Sequence, residues 1–110
     1  MKEIKAVIQP VKLQKLRNAL VALPGFPGMT VSRAEGCSPP IEHQRSRLDI
    51  HAELTDFSPK VRIEILAADD QVAEIVQLIQ ETCQTGHMGD GIIWVTPAEG
   101  FLRIRNGKSG

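Results

Sequence analysis

Polar and apolar residues alternate along three stretches of the chain, and this two-residue period predicts β-strands. The first stretch covers residues 2–9 and ends at Pro10, which cannot donate to a strand ladder. The second covers residues 29–35, and the third begins at Lys60. The third stretch has an apolar face and a charged face, formed by Val61, Ile63 and Ile65 against Arg62 and Glu64.

Two other segments repeat apolar residues every three or four positions, which predicts amphipathic helices. The stripe of the first is Leu13, Leu16, Leu20 and Leu23, and that of the second is Val72, Ile75, Val76, Ile79 and Cys83. The Pro- and Gly-rich residues 24–28 stop the first helix. Asp69 and Asp70 offer capping groups and favourable charge before the second helix. Gly86 lies where a left-handed cap is expected after it.

A further apolar run at residues 92–95 predicts a fourth strand, so the order is strand, helix, strand, strand, helix, strand. This order predicts an α+β fold, the ferredoxin-like βαββαβ sandwich, with both helices on one face of an antiparallel sheet. The whole chain, residues 1–110, forms one domain on this interpretation. Residues 36–59 form a long loop between strands 2 and 3, with a strand-like piece at 50–54. Loops of this length in small domains are usually functional or mobile.

Composition narrows the possible functions. Thirteen basic and 13 acidic residues give a formal net charge of zero. This balance argues against nonspecific binding to nucleic acid or to a membrane surface. No apolar run approaches the length of a membrane span, and the N-terminal residues indicate a strand and not a signal peptide. The two cysteines form no disulfide framework, which favours a reduced, cytoplasmic protein.

The candidate chemistry lies between residues 85 and 105, where three glycines within six residues precede two arginines. If the tail is a strand, Arg103 and Arg105 share a face about 7 Å apart, while Leu102 and Ile104 point into the core. Two guanidiniums beside a glycine loop suit a polyphosphate, because arginine donates bidentately to phosphate oxygens. A plain helix–strand connection followed by two solvated arginines explains the same pattern without a ligand, and the residues alone leave both interpretations open.

Several blocks of residues, in order and at matching spacing, resemble the PII signal-transduction family. They are residues 2–8 followed by Lys12-Leu13, residues 28–31, residues 59–65, Asp69-Asp70, Thr85-Gly86, residues 89–91 and residues 103–105. The resemblance runs along essentially the whole chain. It implies a homotrimer with ferredoxin-like subunits, nucleotide sites in the clefts between neighbours, and a long loop that reports the bound ligand to a target protein.

The resemblance also implies roles for particular residues, carried over by matching position. Gly28, Met29, Thr30 and main-chain groups near Glu64 and Leu66 are expected around the adenine and ribose. Gly89, Asp90, Gly91, Arg103 and Arg105 are expected to hold the phosphates, with Lys60 reaching them from the base of the loop. The implied ligand is ATP or ADP, with AMP as a further candidate and Mg²⁺ as a companion ion.

The chain departs from the family pattern at three places. Gly36 is followed by Cys37-Ser38-Pro39-Pro40, without the glutamine that helps the family bind magnesium and 2-oxoglutarate. This argues against 2-oxoglutarate binding of the family's type. The chain has no tyrosine, and Glu53 stands near the position of the family's uridylylated tyrosine, so tyrosine uridylylation is excluded. Ile92 replaces a lysine that commonly follows the glycine loop in the family. This replacement is expected to weaken the affinity for ATP relative to that for ADP or AMP.

Residues 23–31 are similar to a PII-like branch encoded beside heavy-metal efflux transporters, so a membrane transporter is one candidate target. This association raises an alternative function, a metal-responsive interaction protein that uses Cys37, His43 and His51 of the loop as soft or borderline ligands. Their spacing is not that of a metal site, and the simpler interpretation is that they bind none. The pattern contains no recognisable catalytic arrangement. The prediction is therefore a regulatory nucleotide sensor and not an enzyme.

Overall fold

The computed structural model describes residues 1–37 and 57–110. Four strands and two helices lie in these ranges: β1 (Lys2–Ile8), α1 (Leu13–Val21), β2 (Thr30–Gly36), β3 (Ser58–Ala67), α2 (Val72–Cys83) and β4 (Gly91–Pro97). Short 3-10 turns at Pro10–Lys12 and Asp69–Gln71 lead into α1 and α2. The predicted βαββαβ order is therefore confirmed.

The four strands form one antiparallel sheet in the order β2-β3-β1-β4. β1 occupies the interior of the sheet, where Ile4 pairs with Ile65 of β3 on one side and with Val95 of β4 on the other. β2 pairs with β3 from Thr30 opposite Glu64 to Gly36 opposite Ser58. The connection between these two strand ends is thus residues 37–57, slightly shorter than the predicted loop, and the strand-like piece at 50–54 lies outside the described residues.

The core lies between the two helices and one face of this sheet. Its fully or nearly fully buried residues are Ile4, Ala6, Ile8, Leu16, Leu20, Val61, Ile63, Ile65, Ala67, Ile75, Ile79 and Cys83. The helical stripes and the apolar face of β3 were all predicted from their periodicity. Burial of such side chains is the main term that stabilises a domain of this size.

No helix within the described residues covers the opposite face of the sheet. Lys5 and Val7 of β1 point to this open face, and their register partners on β4 are Trp94 and Ile92. Glu3 forms an ion pair with Lys5 at 3.2 Å on the same face. Ile92 is 61% exposed and Trp94 is 37% exposed, so apolar and charged groups mix on a surface that faces outward.

The predicted capping groups of α2 are wrong in detail. The residue before the 3-10 turn is Ala68, whose N–H donates to the Gln71 side chain at 3.0 Å. Asp69 instead binds the N-terminal amine of Met1 at 2.7 Å. At the other end α2 stops at Cys83 and Gln84 is already extended, so Gly86 does not cap the helix.

The predicted C-terminal strand is also wrong. After β4 the chain forms a narrow hairpin in which Leu102 bridges Ser109 and the residues between them turn. Leu102 is 65% exposed and Ile104 is fully exposed, so neither reaches the core. The alternation of residues 101–105 resembles that of a strand, but Leu102 pairs with Ser109 of the same hairpin and not with a strand of the sheet. Within the described residues no helix is long and apolar enough to cross a membrane.

Candidate functional site

An open cleft of about 1180 Å³ lies where β2 begins, β3 ends and the C-terminal hairpin returns. Seven residues predicted from the family resemblance line it: Gly28, Met29, Thr30, Glu64, Leu66, Arg103 and Arg105. Met29 and Leu66 contribute an apolar wall to the cleft, and Glu64 contributes an acidic group. The cleft thus combines apolar surface for a flat ring with cationic groups for an anion.

The C-terminal hairpin holds the two arginines at the rim of this cleft. The Arg103 N–H donates to the Lys108 carbonyl at 2.7 Å, and the Gly107 N–H donates to the Arg103 carbonyl at 2.8 Å. The Arg103 guanidinium lies 5.0 Å from the centre of the Phe101 ring, a cation–π contact. Arg105 lies in the exposed turn of the hairpin. The backbone is therefore fixed by hydrogen bonds, while the guanidiniums face solvent and the cleft.

Gln71 links two walls of the cleft. Its amide nitrogen donates to the Gly25 carbonyl at 2.8 Å, and its amide oxygen accepts the Ala68 N–H at 3.0 Å. The first bond ties the connection between α1 and β2 to the start of α2. Gly28 and Met29 lie at the end of that connection and Thr30 begins β2, so Gln71 contributes to holding this part of the cleft in place.

The glycine turn before β4 forms a second group of predicted site residues. The Asp90 carboxylate accepts the N–H groups of Thr85 and Gly86 at 2.7 and 3.0 Å, and it accepts the Thr85 hydroxyl as well. These hydrogen bonds, the Thr85 hydroxyl first, hold the pKa of Asp90 below its usual value of 3.8. Gly89 and Gly91 have φ of +89° and +111°, a region that glycine adopts without strain.

Lys60 and Gln9 meet at this turn. The Lys60 ammonium donates to the Gly89 carbonyl at 2.8 Å, and the Gln9 side-chain amide donates to the same oxygen at 3.1 Å. Lys60 also packs along Gly36, where an added Cβ would lie 3.1 Å from its Cγ. The last residue of β2, the first residues of β3 and the glycine turn are thus held together beside the loop of residues 37–57.

The two groups lie at opposite ends of the sheet. Gly91 pairs with Ile8 at the end of β1, whereas Leu66 pairs with Glu3 near its beginning. Lys60 and Leu66 are six residues apart on β3, which corresponds to about 20 Å along a strand. The expectation that the arginines stand beside the glycine loop is therefore wrong within one chain. The nucleotide-binding role of each residue stays a prediction.

The metal-ligand candidates are mostly outside the described residues. His43 and His51 lie there, and Cys37 is exposed immediately after β2. Residues 1–37 and 57–110 hold no group of three or more His, Cys, Asp or Glu side chains that could bind a metal ion. Cys83 is buried in the core on α2, as its place in the helical stripe predicts.

Four residues of the two groups were missed from the sequence: Gln9, Gln71, Thr85 and Phe101. Gln9 and Gln71 stand at the ends of regular elements, where no periodicity marks a polar residue as functional. The Thr85–Asp90 pairing had a local signal, since short polar residues that flank a glycine-rich turn commonly bond its backbone. Phe101 lies two residues before Arg103, and only the hairpin makes them neighbours.

Comparison with known proteins gives matches along nearly the whole chain. A family model described as nitrogen regulatory protein P-II matches residues 1–108. A protein of that name from Azospirillum brasilense is 40% identical over 113 residues, which span 100% of this chain and 96% of the relative. The Bradyrhizobium diazoefficiens protein of the same name is 41% identical over the same shares. The one from Pasteurella multocida is 40% identical over 98% of this chain and 95% of its own length.

Proposed function

Since this chain belongs to the P-II family of nitrogen regulatory proteins, we propose that it is a signalling protein that binds an adenine nucleotide. The nucleotide occupies a cleft between two subunits, and the loop of residues 37–57 reports its presence to a target protein. The protein acts by binding and not by catalysis. Its regulation does not use tyrosine uridylylation, because the chain contains no tyrosine.

The observation that carries the proposal is the cleft itself. Seven residues from three separate parts of the sequence, expected around one nucleotide, line a single cleft. Two of them are arginines, which recognise phosphate oxygens with paired N–H donors. Gly28, Met29 and Thr30, with main-chain groups at Glu64 and Leu66, form the wall suited to the adenine and ribose.

The remaining expected residues require a second copy of the chain. Lys60 lies about 13 Å along β3 from Glu64, a residue that lines the cleft. Gly89, Asp90 and Gly91 stand with Lys60 at that far end, where Gly91 pairs with Ile8. One subunit therefore carries two half-sites that do not face each other. In a ring of three subunits the cleft of one copy meets the glycine turn of the next. We accordingly propose a homotrimer whose subunits each contribute to two sites.

The chemistry of the turn restricts the phosphate end of the ligand. Lys60 donates to the Gly89 carbonyl of this half-site, and Asp90 adds a negative charge beside it. Ile92 at the start of β4 is apolar and offers no donor. ADP or AMP fits this limited positive charge better than ATP does, and Mg²⁺ offsets part of the charge of a longer phosphate chain.

Signalling follows from the position of Lys60 and Gly36 at the base of the loop. A ligand that prefers one arrangement of these residues shifts the loop toward the matching conformation, by as much as its affinities for the two differ. The target is a second protein that contacts the loop. The resemblance of residues 23–31 makes a heavy-metal efflux transporter the first target to test.

The proposal is tested by isothermal titration of the protein with ATP, ADP and AMP, with and without Mg²⁺ and 2-oxoglutarate. We expect binding of at least one nucleotide and its loss in the variant Arg103→Ala/Arg105→Ala. The variant Lys15→Ala/Arg17→Ala is the matched control, since it removes the same charge from exposed positions on α1. Loss of binding in both variants points to net charge and not to the cleft.

Size measurement by light scattering tests the trimer separately. Absence of binding to all three nucleotides by a correctly folded wild-type protein would overturn the proposed function. Nucleotide binding by a stable monomer would support the proposed ligand but would contradict a site shared between subunits.

A further inference from the structure

Two side chains far apart in the sequence converge on one carbonyl oxygen in the glycine turn. Gln9 donates to the oxygen of Gly89 at 3.1 Å, and Lys60 donates to it at 2.8 Å. Both hydrogen bonds are partly buried. A carbonyl oxygen has two lone pairs, so this pair of donors fills its capacity.

Gln9 is held in place by its backbone. It lies between the end of β1 and Pro10, and its φ of −70° and ψ of 136° are the extended values favoured before proline. Its own carbonyl accepts the Lys12 N–H at 3.0 Å. The Gln9 side chain therefore approaches Gly89 from a fixed base, and as a neutral amide it has no ionic attraction to a phosphate.

Lys60 differs from Gln9 in its flexibility and in its charge. Its ammonium sits on a flexible stem and has three donors, of which the Gly89 bond uses one. A phosphate oxygen is a stronger acceptor for an ammonium than a carbonyl is, because both partners then carry charge. An anion at the glycine turn is expected to draw Lys60 away from Gly89.

We propose that Gln9 is a positioning residue that keeps the Gly89 carbonyl hydrogen-bonded when Lys60 turns to a phosphate. A carbonyl left without a donor in a partly buried place destabilises the structure, and this cost would oppose ligand binding. With Gln9 present, the Gly89 carbonyl keeps a hydrogen-bond donor with and without the ligand. Lys60 can then move from Gly89 to the phosphate. The inference rests on the proposed nucleotide function and adds the residue that permits the exchange.

The role makes a prediction that simple support of the turn does not make. A ligand without phosphate does not bind Lys60, so the bond from Lys60 to Gly89 stays in place. The affinity of such a ligand is therefore independent of Gln9. A ligand with phosphates needs the exchange, so its affinity falls when Gln9 loses its donor. The effect of a Gln9 variant is therefore expected to differ between adenosine and ADP.

The test is titration of wild type and the variant Gln9→Met with ADP, and with adenosine by competition against ADP. Methionine has a similar length and no N–H donor. We expect ADP to bind about three- to tenfold more weakly, the scale of one hydrogen bond, and adenosine to bind unchanged. Gln14→Met, at an exposed position of α1, is the control.

A second measurement needs no ligand. The carbonyl ¹³C shift of Gly89 reports its hydrogen bonding, and we expect Lys60→Met to retain a bonded shift that Gln9→Met/Lys60→Met loses. Equal weakening of adenosine and ADP, or unchanged ADP affinity in Gln9→Met, would overturn the inference while nucleotide binding stands. A wild-type protein that binds neither ligand overturns the proposed function and the role of Gln9 together.

Discussion

The carboxylate of Asp90 folds back onto Thr85, accepting its N–H at 2.7 Å and its hydroxyl through the other oxygen. This closes the glycine turn with an ionised group and not with apolar packing, since the turn between α2 and β4 is largely exposed. The conformation of the turn at Thr85 and Gly86 therefore depends on the charged side chain of Asp90.

Replacing Asp90 with Asn is expected to loosen the turn. The amide keeps one acceptor oxygen, whereas the carboxylate uses both of its oxygens. Amide hydrogen exchange should become faster at Thr85 and Gly86, with no change at core residues such as Ile63. Unchanged exchange at both amides would contradict the role of Asp90.

The same group gives a pH dependence. Hydrogen bonds from Thr85 and Gly86 hold the pKa of Asp90 below 3.8, so they contribute stability above that pH. The contribution is lost as pH falls through the lowered pKa. Amide shifts of Thr85 and Gly86 in an NMR titration should therefore change with a midpoint below 3.8. The Asp90→Asn protein serves as the control, and a transition there would assign the titration to another group.

Gly91 is expected to tolerate no side chain. A Cβ at this position would lie 1.8 Å from the Val7 carbonyl oxygen, and its φ is +111°. We expect Gly91→Ala to lower the free energy of unfolding by about 3 kcal/mol or more, since strain and clash add. Gly107→Ala is the matched control, because Gly107 has φ of +69° and no atom within 4 Å of an added Cβ.

In Gly107→Ala the free energy of unfolding should fall by only about 1 kcal/mol. Urea unfolding at one fixed protein concentration measures both values. Similar losses in the two variants would mean that the contact with Val7 relaxes easily.

Burial raises the pKa of the Cys83 thiol above its usual value of 9.0. The folded state therefore favours the neutral thiol, and this contribution is present below pH 9.0 and lost as pH rises through the raised pKa. In a Cys37→Ser protein, alkylation of Cys83 by iodoacetamide at neutral pH should be at least about tenfold slower than in urea-unfolded chain. Equal rates would place the thiol at the surface.

The open face of the sheet should carry the subunit contacts of the proposed trimer. Trp94 and Ile92 are the large apolar residues of β4 on this face. Trp94→Glu places a charge there and is expected to shift the protein from trimer to monomer in light scattering. Val11→Glu changes a residue that is 78% exposed in the 3-10 turn before α1, and it should leave assembly unchanged. A trimeric Trp94→Glu protein would exclude this face.

The sequence predicted the secondary structure well where one face of an element is buried. Leu16 and Leu20 on α1, Ile75 and Ile79 on α2, and Val61 and Ile63 on β3 repeat at the period of their element, because each must face the same core. It misjudged residues 101–105, where Leu102 and Ile104 alternate like a strand without any core to bury them. Periodicity predicts burial only when a partner surface exists.

The sequence by itself determined the fold, the family and the types of residue that the site needs, since these depend on local spacing and on matched motifs. The tertiary structure decided where those residues stand. It joined Met29 and Glu64 to Arg103 in one cleft and put Lys60 with Gly89 at the far end of the sheet. It also brought Gln9 onto the Gly89 carbonyl, across 80 positions in the chain. The register of β1 between β3 and β4 sets all three relationships, and register depends on how the whole sheet packs against its helices.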